Sequence, residues 1–90
     1  MSDTPKAPEA PKTREEVLAS SLEAREQEVF YYQINIDNYS IALKKIAELP
    51  PSEQLELSGF VEQLKTLLAS EQLEQKKAKI MLSVIQEQVV

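Results

Sequence analysis

Glutamates spaced three apart are the side chains best placed for chemistry in this 90-residue sequence: Glu23 with Glu26, Glu53 with Glu56, Glu71 with Glu74. On a helix each pair shares one face, where two carboxylates could divide acid and base work or hold a divalent cation. A carboxylate metal centre in a helical bundle also draws on histidine, and the sequence has no His and no Cys. Those absences remove the usual base near neutral pH, the commonest nitrogen ligand, the thiolate nucleophile and any disulfide. Ser20, Ser21 and Ser70 have no base beside them in sequence, and a single glycine cannot make a phosphate-cradling loop. Tyr31, Tyr32 and Tyr39 read as seam and interface residues. The carboxylates read as solvated helix faces, and the expectation is a non-enzymatic chain with no cofactor and no metal.

The elements that carry these residues follow from periodicity. Residues 1–12 hold Pro5, Pro8 and Pro11 and no large apolar side chain after Met1, so they are expected to form a disordered tail. Its proline spacing formally fits P-x-x-P, in an acidic, alanine-rich context unlike that of a docking ligand. Thr13 with Glu16 then has capping-box spacing, which predicts a helix over about 14–49. Pro50-Pro51 predicts a hard stop and a turn over 50–52, with Ser52 capping a second helix over about 53–88. A kink is expected at Ser58-Gly59: either a short separate turn precedes the long helix, or Gly59 stays helical and admits helix 1 beside Ala42 and Leu43. A continuous or mildly kinked helix is the favoured reading.

Leu18, Leu22, Arg25, Val29, Tyr32, Ile36, Tyr39, Leu43 and Ile46 follow 3-4 spacing along the first helix, and all but Arg25 are apolar or aromatic. The second helix carries Leu57, Phe60 or Val61, Leu64, Leu67 or Leu68, a polar gap over 71–77, then Ala78, Met81 or Leu82, Ile85 and Val89. The predicted fold is all-α: an antiparallel, coiled-coil-like hairpin of two matched helices. Folding back about Pro50-Pro51 makes facing residue numbers sum to roughly 101. That sets Arg25 opposite Lys76 and lays Glu23, Glu26 and Glu28 near Lys76, Lys77 and Lys79, so both polar interruptions coincide with complementary charge.

One seam leaves apolar residues over. Phe30, Tyr31, Ile34 and Ile41 on the first helix, with Leu73, Ile80 and Val84 on the second, are expected to face outward as a self-association or partner surface. Pairing of two hairpins into a four-helix bundle would cover them. The net charge of −5 disfavours nucleic acid, which asks for clustered cations, and a membrane surface, which asks for a basic face. No apolar run approaches the roughly 20 residues of a membrane span, and no signal segment is evident, so a cytoplasmic protein is expected.

The run Arg25-Glu26-Gln27-Glu28, with Tyr32 to Tyr39, Ala42-Leu43 and Leu49-Pro50, resembles segments of small helical proteins of tailed bacteriophages. The resemblance covers only part of helix 1 and transfers no functional residue. It implies a phage setting and host cytoplasm, where small acidic proteins bind host or virion proteins. Two functions follow as expectations: a scaffold, adaptor or assembly chaperone, and alternatively an acidic effector that inhibits or redirects a host protein.

Overall fold

The computed structural model describes residues 13–89, so the expectation of a disordered tail over 1–12 lies outside the described residues. Three helices follow in order: α1 (Arg14–Ala47), α2 (Pro51–Glu56) and α3 (Ser58–Gln88), with no strand among the described residues. α1 and α3 pack antiparallel as the two arms of the hairpin, each roughly 45–50 Å long at 1.5 Å per residue.

α1 begins where its cap permits. The Thr13 hydroxyl accepts from the Glu16 amide at 3.2 Å and donates to the Glu16 carboxylate, also at 3.2 Å. Glu15 and Glu16 stand at the positive end of the helix dipole and Lys44 and Lys45 at the negative end. At its other end the ladder tightens to i→i+3 bonds, Glu48 N to Lys45 O and Leu49 N to Ile46 O. Gln54, from the next helix, donates Nε2 to the carbonyls of Ala47 (3.1 Å) and Leu49 (2.7 Å), satisfying acceptors that Pro50 and Pro51 cannot serve.

Pro51 opens α2 instead of ending the turn, and Ser52 is not a cap. Proline suits the first helical position because the amide it lacks would have no partner there. The second helix, expected to be continuous or mildly kinked with a short separate turn as the alternative, takes the alternative: it breaks at Leu57, where the backbone leaves the helical region (φ −96°, ψ 7°) and the ladder resumes with Val61 N to Leu57 O at 2.9 Å. Ser58 supplies no side-chain cap to α3. Gly59 is helical, and a Cβ built on it meets nothing within 4 Å, so no close approach by Ala42 or Leu43 explains it.

Every α1 seam position from Leu18 to Ile46 is partly or fully buried, Arg25 included. On α3 the inward set is Val61, Leu64, Leu68, Glu71, Gln75, Ala78, Leu82 and Ile85. Phe60, Leu67 and Met81, which the sequence could equally place in this seam, lie exposed beside it. The core is a single line: Ile46, Leu64, Ala78 and Ile85 are its buried apolar residues, and Leu64 is among the most enclosed at 4% exposure.

The register departs from the expected one. Gln75, expected beside Glu26, reaches Val29 and Gln33, while Glu71, expected beside Phe30, reaches Asn35. The mid-hairpin displacement is about one helical turn. Its cause lies in the connection: α1 ends at Ala47 and α3 starts at Ser58, so the fold-back centres on Ser52-Glu53 and not on Pro50-Pro51. Arg25 therefore does not pair with Lys76. The ion pairs found among the described residues all run along one helix: Arg25–Glu28 at 3.0 Å, Lys77–Glu74 at 3.1 Å and Lys65–Glu62 at 3.6 Å. The expected electrostatic clasp between the arms is absent among these residues, and apolar packing with amide hydrogen bonds stands in its place.

Candidate functional site

The outward-facing apolar residues sort by their angle from the seam. At about 100° per residue, Phe30, Ile34 and Ile41 fall on the side of α1 roughly opposite α3. Leu73, Ile80 and Val84 fall likewise on the far side of α3. All six are exposed, Phe30 to 68%. The two sets form separate apolar rows along the two outer edges of the hairpin, too far apart to make one patch. Tyr31 is also exposed and meets Tyr32 edge-on, with ring centroids 5.6 Å apart at 65°, so its ring is braced by its neighbour.

A third row lies between seam and edge. Phe60, Leu67 and Met81 occupy one heptad position of α3, with Glu74 between them, and each is nearly half exposed. Beside Met81 the helices leave a shallow depression lined by Arg25, Glu28 and Tyr32 of α1 and by Glu74, Lys77 and Ala78 of α3. Farther along, Ser21, Ala24, Arg25 and Glu28 line another with Ile85. This flank mixes small side chains with two intrahelical ion pairs, Arg25–Glu28 and Lys77–Glu74. On the opposite flank Gln72, Gln75, Lys76 and Lys79 line a depression between their own aliphatic stems. The sequence reading missed the Phe60–Leu67–Met81 row because it allowed these residues as alternatives within the seam. Their shared heptad position was the available signal.

Tyr32 lines the depression beside Met81. Partial desolvation first, then the carboxylates Glu28, Glu74 and Glu71 and the neighbouring Tyr31, raise its phenol above the ordinary value. Such a phenol stays protonated near neutral pH and offers a hydrogen-bond donor, not a base.

The three carboxylate pairs do not converge. Glu74 is engaged by Lys77 and Glu71 by Asn35, and no group of three or more Asp or Glu side chains among the described residues is arranged to hold a metal ion. No helix of the described residues is long and apolar enough to cross a membrane. Comparison with protein-family models, curated proteins and solved structures finds no match to this chain.

Proposed function

We propose that this chain is a non-enzymatic protein–protein interaction module, a scaffold, adaptor or assembly chaperone, whose hairpins pair into a four-helix bundle. The observation that carries the reading is the exposed heptad row Phe60, Leu67 and Met81 beside a seam of the same spacing. Helices that repeat apolar residues every seven positions in two adjacent rows present a surface to a third helix as well as a second. A second copy offers helices of matching length and pitch, and the alternating signs of Arg25, Glu28, Glu74 and Lys77 suit a self-complementary contact. The outer-edge rows, Phe30–Ile34–Ile41 and Leu73–Ile80–Val84, which the sequence assigns to the bundle core, lie away from the Phe60–Leu67–Met81 row, remain free in such a pair and are the places for a different protein to dock. Sedimentation equilibrium tests the first half: Leu67→Lys is expected to convert a dimer to a helical monomer, whereas Lys79→Ala is expected to leave the dimer intact. A parent chain that stays monomeric at high micromolar concentration overturns the bundle.

A further inference from the structure

We infer that the amide layer of Gln75, which is buried, and Asn35, which is half-buried, selects the hairpin's register. Both arms carry heptad ladders: Leu22, Val29, Ile36 and Leu43 on α1, and Val61, Leu68, Gln75 and Leu82 on α3. Sliding one arm by seven residues returns nearly every apolar side chain to an equivalent place, so apolar packing alone discriminates weakly between registers. The connection does not forbid the slide. Ten residues separate Ala47 from Ser58, and a displacement of about 10 Å is well within their reach if α2 unwinds.

The polar layer breaks this degeneracy. Gln75 is buried at 8% exposure, and its Nε2 donates to the Val29 carbonyl at 3.3 Å and to Gln33 Oε1 at 2.9 Å. One turn away, Asn35 Nδ2 donates to Glu71 Oε2 at 3.3 Å. No buried side-chain nitrogen or oxygen among the described residues lacks a partner. A slide of seven in one direction sets Glu71 against Glu28, carboxylate to carboxylate. A slide in the other sets Glu71 against Ala42, which has no donor side chain. A half-buried carboxylate deprived of its donor opposes both. The layer thereby holds the two outer apolar rows at fixed relative height, and it does so whether or not hairpins pair.

Because the chain has no cysteine, introduced pairs report register by disulfide formation within one chain, read by gel mobility under non-reducing conditions. Ala19→Cys with Gln86→Cys reports the observed register. Ala19→Cys with Lys79→Cys, and Glu26→Cys with Gln86→Cys, report slides of seven residues either way. In the parent chain only the first pair is expected to close readily. Adding Gln75→Leu and Asn35→Leu together is expected to bring at least one slid pair to within about tenfold of the first pair's closure rate, with full helicity kept. Slid pairs that remain open in that background overturn the inference. So does loss of the helical signal, which would make the layer a source of stability and not of choice.

Discussion

Arg25 turns along its own helix to Glu28, 3.0 Å away, and leaves Lys76 on the other arm unpaired with it. Both partners are more than a third exposed, so the contact carries little energy, of order 0.3–0.5 kcal/mol. What Arg25 occupies matters more than what it pairs with: it fills a seam position that is apolar elsewhere on α1. Arg25→Leu is expected to raise stability by about 1 kcal/mol through added apolar burial. Urea denaturation followed by circular dichroism reads this as a higher midpoint. Lys76→Glu is expected to move the midpoint by less than about 0.5 kcal/mol.

Leu64 is a sharp probe of the core. Leu64→Ala removes three heavy atoms' worth of contact from a site 4% exposed and is expected to cost about 2–3 kcal/mol, whereas Leu55→Ala, at an exposed site, is expected to be nearly neutral. Equal costs in thermal melts would mean that the arms do not pack as described.

The two faces of α1 can be separated by charge. Ile36→Lys places an ammonium in the half-buried seam and is expected to destabilise the hairpin by about 2 kcal/mol or more, because the partly desolvated charge has no partner there. Ile34→Lys, on the outer edge, is expected to leave helicity and the melting curve unchanged within about 0.5 kcal/mol. Circular dichroism on both variants decides the assignment.

Much of this geometry was legible in the sequence. The α1 seam could be read position by position, because its 3-4 spacing has no competing apolar residue adjacent to most of its members. The α3 seam could not. Phe60-Val61, Leu67-Leu68 and Met81-Leu82 are adjacent pairs, and periodicity places such neighbours about 100° apart without saying which turns inward. The register is illegible for a different reason: Pro50-Pro51 reads as a stop, while Pro51 is equally suited to start a helix, which shifts the fold-back centre. The Gln75 layer was hidden because a long amide in a polar stretch reads as exposed until its acceptors, Val29 O and Gln33, are known.

Gly59 tests the backbone. It is helical, with open space where a Cβ would go, so Gly59→Ala is expected to stabilise the chain by about 0.5–1 kcal/mol by narrowing the unfolded ensemble. A lowered denaturation midpoint would show that the break at Leu57 needs glycine's freedom after all.

Alkali should loosen the hairpin through Tyr32. Its folded-state phenol is raised above the ordinary value, so the unfolded chain loses that proton first. The associated stability is present below the unfolded value near 10 and is lost as pH rises through the folded one. Melting temperatures are expected to fall above about pH 10 in the parent chain and to fall less in Tyr32→Phe.

The hydrogen bonds of the connection and between the arms also order the folding of the chain. Gln54 to Leu49 spans five residues, Asn35 to Glu71 thirty-six, Gln75 to Val29 forty-six and Arg14 to Gln88 seventy-four. Facing residues grow steadily more distant in sequence away from the fold-back at Ser52-Glu53. Closing the bend meets the entropy of loop formation once, and each further contact extends an already closed loop by a few residues. The arms should therefore zip from Leu49 and Leu57 outward and fray from Thr13 and Val89 inward, with amide exchange slowest near Ile46 and Leu64 and fastest at the open end.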